Sequence, residues 1–249
     1  DAVLKSGIQQ NTYVNAAGRT EDGLGYNIGL GAQKETGNID NESLKKYSFK
    51  TGVTKKFNEK FEIGANLTVS FIEQQDGSSV AMREAFRFSP LMTPYGFDGE
   101  LFPLPGKLTD LDGNMVVDKT STYNPILEIQ NSSDETRKWT GVGNIYFQYN
   151  ILDWLSFKTA YSASYRNHRR GQSWGAMTNT GVANGDMPSA SMDKGETING
   201  TWDNQINIDY NFNDKHQFNF LALQSLYYSR TETSFLSSRN MPFDTGFYN

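Results

Sequence analysis

The stretch Phe61-Glu62-Ile63-Gly64-Ala65-Asn66-Leu67-Thr68-Val69-Ser70-Phe71 alternates apolar residues with polar or small ones without error. A period of two puts Phe61, Ile63, Ala65, Leu67, Val69 and Phe71 on one face of a strand and the rest on the other. Leu24 to Ala32 uses the same device, with Leu24, Tyr26, Ile28, Leu30 and Ala32 set against Gly25, Asn27, Gly29 and Gly31. Its second face is almost bare. That suits an open lumen better than a sandwich core, where bulk must meet the facing sheet.

Working outward, Tyr47, Phe49, Thr51 and Val53 predict a strand joined to the first by a polar turn at Asn58-Glu59-Lys60. Ile145, Phe147 and Tyr149 turn near Asn150 to Asp153 into Leu155, Phe157, Thr159, Tyr161, Ala163 and Tyr165. A third hairpin pairs Trp202, Ile206, Ile208 and Tyr210 with His216, Phe218, Phe220 and Ala222, and a weaker strand covers Gln10 to Ala17. About eight strands result, each of about the 9–11 residues, or a little more, that a tilted membrane strand needs. Short turns (18–22, 57–60, 150–153, 211–215) alternate with long segments (34–43, 72–137, 167–196 and beyond 229). Outer-membrane barrels have this design, with short periplasmic turns and long extracellular loops. The expectation is therefore an all-β, antiparallel transmembrane barrel segment over residues 1–249, with 72–137 as a long extracellular loop carrying a short helix at Val80 to Phe88.

Composition agrees. Hydrophobic residues are 37%, charged residues 20%, and mean hydropathy is -0.61, with no apolar run near the ~20 residues of a membrane helix. Barrel strands keep mean hydropathy low because only alternate residues meet lipid. Aromatics reach 13%, as interface girdles require, and a net charge of -5 speaks against a nucleic-acid partner. The absence of cysteine removes disulfides and thiolate chemistry.

With these strands in place, Tyr26-Asn27-Ile28-Gly29-Leu30-Gly31, then Leu44-Lys45-Lys46-Tyr47-Ser48-Phe49-Lys50, resembles the strand pair of the SusC/RagA-like TonB-dependent transporters. Phe61 to Leu67, Ser89-Pro90-Leu91-Met92 and Asn124-Pro125 are similar to further family motifs and follow in family order. The resemblance implies a barrel of about 22 strands around a plug. It further implies import of glycans or peptides, a SusD-like surface lipoprotein partner, and energy from TonB. No TonB box, plug or aromatic barrel-ending segment is read here, so a fragment of a larger wall in a bacterial outer membrane is expected.

Several motifs carry competing chemistry. Gly171-Gln172-Ser173-Trp174-Gly175 matches a nucleophile elbow, but that needs a buried strand before and a helix after it; an extracellular loop is the expected setting. Asp110-Leu111-Asp112-Gly113-Asn114 lacks the glycine and glutamate positions of a calcium loop and reads as a hairpin turn. Arg166, His168, Arg169 and Arg170 could meet lipopolysaccharide phosphates, with a solvated rim as the plainer reading.

Tyr95, Phe97, Phe102 and Trp174 are candidate cargo or lid contacts, while Tyr149, Trp154, Tyr165 and Tyr210 are candidate membrane-interface girdle anchors. No catalytic, metal or cofactor residue is expected. The alternatives are a complete small outer-membrane barrel with a structural or adhesive role, and a secreted glycan-binding β-domain.

Overall fold

The computed structural model describes residues 3–88, 93–95, 99–101, 107–109, 115–117, 122–212 and 215–242. Strands β1 (Ile8–Arg19), β2 (Leu24–Thr36), β3 (Glu42–Lys56) and β4 (Phe61–Asp76) are followed by helix α1 (Ser79–Arg87). A small hairpin of β5 (Lys107–Thr109) and β6 (Met115–Val117) leads to α2 (Pro125–Asn131). Then come β7 (Ser132–Leu152), β8 (Leu155–Trp174), α3 (Asn179–Ala183), β9 (Ser189–Phe212) and β10 (His216–Arg239). The large strands form one antiparallel eight-stranded sheet in the order β1-β2-β3-β4-β7-β8-β9-β10. Each strand thus lies beside its predecessor in the meander.

Local chemistry explains the short turns. Asn58 Oδ1 accepts from the backbone N–H groups of Lys60 and Phe61 at 2.8 and 2.9 Å, closing the β3–β4 turn with a side chain in place of a ladder bond. Gly23 takes φ +83° in the β1–β2 turn, a conformation glycine adopts freely.

The register extends the alternation of Phe61 to Phe71 across the sheet. Phe61 faces Tyr149, Tyr149 faces Phe157, Phe157 faces Ile206 and Ile206 faces Ala222. At the other end Phe71 leads through Trp139, Asn167 and Glu196 to Glu232. Yet the apolar run on β10 spans Phe218 to Tyr228, so both its edges are displaced by four residues from those partners toward the β9–β10 turn. The apolar band therefore slides along the strands as it crosses the sheet. Four residues over four strand spacings is about 13 Å against about 19 Å, a strand tilt of about 35° to the band, which is the tilt of a membrane barrel. With that tilt, the ten-residue step from Phe61 to Phe71 gives a band about 27 Å tall, near the apolar height of outer-membrane barrels.

Among the described residues no large core hides this band. Phe218, Phe220 and Leu30 are 60%, 59% and 58% exposed, and the face covers about 1,000 Å², well above the patch a soluble monomer leaves in water. Polar atoms within it bond one another: Thr159 Oγ1 donates to Asn204 Oδ1 at 2.8 Å and receives the Trp202 indole N–H at 2.9 Å. In lipid, where water cannot substitute, such internal satisfaction is required.

Two expectations need correction. Strands β7 to β10 run 21, 20, 24 and 24 residues, about twice the expected length. The long segments contract accordingly to 37–41, 77–131 and 175–188, and the chain after Ser229 continues β10 to Arg239. Polar residues pair in these extensions as readily as apolar ones, so hydropathy gave no sign of them. Nor are the polar-face glycines bare. A Cβ on Gly29 would meet Tyr13 Oη at 2.4 Å, and one on Gly195 would meet His168 Cε1 at 2.3 Å. Rings from neighbouring strands lie across these glycines and fill the space they leave.

Candidate functional site: the mouth end of the sheet

The longer connections gather at one end of the strands, and three short helices brace it. Ser78 caps α1 by accepting from Ala81 N at 3.2 Å; Asn124 caps α2 by accepting from Ile126 N at 3.0 Å, with Pro125 in the first turn. Asn124 Nδ2 also donates to Pro94 O at 2.8 Å, so one asparagine starts a helix and pins a loop. Val3, Ala81 and Ile129 form a small apolar core, joined by Ile39, Met82 and Ala85. This core ties the β2–β3 hairpin tip to both helices.

Two carboxylates are buried here. Glu84 accepts from Tyr123 N at 3.2 Å and from Arg83 Nε at 2.9 Å. Glu128 accepts from Asn179 N at 2.7 Å, linking α2 to the start of α3, while its Oε1 has no partner among the described residues. Burial pushes the Glu128 carboxyl above its ordinary range, and nearby Glu84 adds to that. Neither glutamate announces itself in the sequence; the capping residues Ser78 and Asn124 were the only local signal.

Trp174 ends β8 opposite Ser132 and Ser189, half-buried, and lines a cavity of about 220 Å³ with Ser173, Pro188 and Met241. It belongs to a strand end rather than a loop. Tyr95 is 47% exposed and bridges Leu101. Phe97 and Phe102 lie outside the described residues, as do 89–92 and the turn 110–114, although β5 and β6 flank that turn as a hairpin would.

The elbow reading of Gly171 to Gly175 fails on geometry. Its first four residues are β strand, and alternation puts Ser173 and His168 on opposite faces. His168 Nε2 instead meets Asp193 Oδ1 at 2.7 Å. The basic cluster also divides. Arg166, His168 and Arg170 point to the polar face, where Arg170 grips both oxygens of Asp134 at 2.7 and 2.6 Å; Arg169 points to the other.

Among the aromatics, Tyr149 stacks on Phe61 at 4.5 Å and Trp154 meets Tyr210 edge-on at 5.5 Å, both beside the short turns. Tyr165 stands ten residues up β8 from Leu155, and its hydroxyl donates to Glu196 Oε2 at 3.3 Å. The sequence reading missed the row Tyr47, Phe71 and Trp139 at the mouth edge of the band, with Phe71 and Trp139 rings 4.7 Å apart.

No family model matches the chain. It is 21% identical over 239 residues to TonB-dependent receptor P26 of Formosa agariphila, covering 96% of this chain and 23% of that protein. It superposes on the RagAB peptide importer in the closed-closed state with a TM-score of 0.72 at 14% identity, covering 98% of this chain and 27% of that one. The chain is similar to a barrel fragment of the SusC/RagA-like TonB-dependent transporters. The open-open state of RagAB gives a TM-score of 0.73, again at 14% identity, over 98% of this chain and 26% of that one. The chain thus spans about a quarter of each of these proteins. Its sheet is a wall of SusC/RagA-like fold, and its likeness is to transporters rather than enzymes.

Proposed function

We propose that this chain is part of the wall of an outer-membrane transporter that imports glycans or peptides. The apolar face meets lipid and the polar face lines a lumen, while the helix-braced end forms the mouth. The observation that carries the reading is the sliding apolar band, whose tilt and height fit a bilayer and serve no soluble protein. Tyr149, Trp154, Tyr165 and Tyr210 act as interface anchors, and Trp174 and Tyr95 meet cargo or lid. A SusD-like lipoprotein would seat on the mouth, and TonB would act on a plug elsewhere in the longer protein. The barrel wall itself does no covalent chemistry; opening is conformational.

Deleting the parent gene and following uptake of fluorescent oligopeptides and oligosaccharides separately tests this. Loss of one class names the cargo. Unchanged uptake of both, in cells that make the protein and then lack it, contradicts transport. In the same assay Trp174→Ala should slow uptake without lowering the amount of barrel assembled.

A further inference from the structure

Lys46 on β3, Ile72 on β4, Lys138 on β7 and His168 on β8 face one another in register, one position mouthward of the row Tyr47, Phe71 and Trp139 and on the opposite, polar face. Arg166 lies two residues along β8 from His168, which makes it the diagonal neighbour of Lys138, about 7–8 Å away. Lys46 stands two strand spacings from Lys138 on the other side, about 10 Å. Lys50, facing Thr68, adds a fourth cation about 13 Å along β3 from Lys46.

Other cations on this face have partners. Arg170 holds Asp134 at 2.6 Å and His168 meets Asp193 at 2.7 Å, while toward the short turns Lys56 reaches Glu62 at 3.5 Å and Lys158 lies 4.5 Å over the Tyr146 ring. Lys46, Lys50, Lys138 and Arg166 have no ion pair within 4 Å among the described residues. The acid nearest to them by register is Glu35, diagonal to Lys46, and it accepts from Gln33 Nε2. Like charges this close weaken a sheet, and the low-dielectric wall of a lumen concentrates their field on whatever passes.

Mouthward on the same face, Trp174 ends β8 eight residues from Arg166, about 26 Å along the strand. Ser132 and Ser189 flank it in register, and Asn131 shares its cavity. An indole face beside hydroxyl and amide groups suits a sugar ring, whose apolar face stacks while its hydroxyls exchange hydrogen bonds.

We infer that the cargo is an anionic oligosaccharide, carrying uronic carboxylates or sulfates, which enters past Trp174 and is drawn along Lys138, Arg166, Lys46 and Lys50. This rests on the transporter reading and names its substrate class. Arginine grips an oxyanion bidentately and lysine adds a point charge, so anionic groups among the four turn mutual repulsion into attraction. A neutral glycan gains nothing from them.

The test uses the full-length parent protein in detergent, incubated with a mixture of uronic-acid-containing, sulfated and neutral oligosaccharides and acidic peptides. Mass spectrometry identifies what is retained. Wild type should retain anionic oligosaccharides, the retained species showing whether carboxylate or sulfate is read, and retention should fall as salt rises from about 0.05 to about 0.5 M. Lys138→Gln/Arg166→Gln should bind them about tenfold more weakly, the scale of losing charge-assisted hydrogen bonds. Lys138→Arg/Arg166→Lys should restore binding, and Lys45→Gln on the outer face should leave it unchanged. The amount of barrel assembled is measured for each variant; where the double variant assembles poorly, Lys46→Gln/Lys50→Gln takes its place and should weaken binding similarly. Preference for neutral oligosaccharides or acidic peptides, or equal binding by wild type and an assembled double variant, overturns this inference alone. Retention of no class by the wild type overturns the transporter reading and the inference with it.

Discussion

Tyr146 lies across Gly64 so closely that a Cβ there would come within 2.3 Å of the ring, and its hydroxyl donates to Glu62 Oε1 at 2.8 Å. One strand supplies the gap and the acceptor, and the next supplies the ring that uses both. Gly64→Val is expected to displace Tyr146 and destabilise the wall by about 1–3 kcal/mol, the usual range for overpacking. Urea unfolding of the parent protein in lipid vesicles, compared with Tyr146→Phe, measures this. An unchanged midpoint for Gly64→Val would show that the ring does not depend on the glycine.

Leu67 and Thr68 are neighbours in sequence with opposite surroundings. Leu67→Arg puts a charge near the middle of the apolar band and should cost about 2–4 kcal/mol, while Thr68→Arg on the polar face should cost little. The same unfolding assay reads both. Equal costs would mean that the two faces do not differ in solvent.

This contrast shows what the sequence discloses. The band from Phe61 to Phe71 was readable because a period of two leaves an apolar record on every spanning strand. Register, and therefore tilt, was not, since it depends on which residue of β10 faces which residue of β9. The outer halves of β7 to β10 were hidden for a different reason. Asp134 with Arg170, and Asp193 with His168, satisfy one another on the polar face, so the strands continue with no hydropathic alternation. Asn124-Pro125 is readable as a family motif, but its capping of α2 and its grip on Pro94 depend on how a residue thirty positions away folds back against it.

Glu128 has its carboxyl raised by burial, so the folded mouth holds its proton more tightly than the unfolded chain does. As pH rises from the unfolded value of about 4.5 through the higher folded one, ionisation in a buried setting destabilises the packing of α2 against α3, although the Asn179 hydrogen bond itself favours the charged form. Glu128→Gln keeps an acceptor for Asn179 N and removes the charge. Amide exchange at Asn179 should therefore be slower in Glu128→Gln than in wild type at neutral pH and converge with it below about pH 4.5. Slower exchange in wild type at neutral pH would reverse the sign and refute this.

Asp22 behaves in the opposite way. The hydrogen bond from Lys55, with help from Thr20, lowers its carboxyl from 3.8 to about 2, and Lys55 Nζ sits 2.5 Å from Asp22 Oδ2. The pair's support of the β1–β2 turn is present above about pH 4 and fades as pH falls toward 2. Carboxyl carbon shifts of Asp22 followed by NMR should titrate below pH 3 and return to the ordinary range in Lys55→Ala.

The central claim is that one face of this sheet meets lipid and the other meets water. This chain has no cysteine, so single cysteines can be placed at each position from Phe61 to Phe71 in a full-length parent freed of any cysteine elsewhere and probed in intact outer membranes. The account predicts that cysteines at 62, 64, 66, 68 and 70 react with a small aqueous thiol reagent, while those at 61, 63, 65, 67, 69 and 71 are protected until detergent is added. Uniform reactivity along the strand, or alternation in the opposite phase, would contradict it.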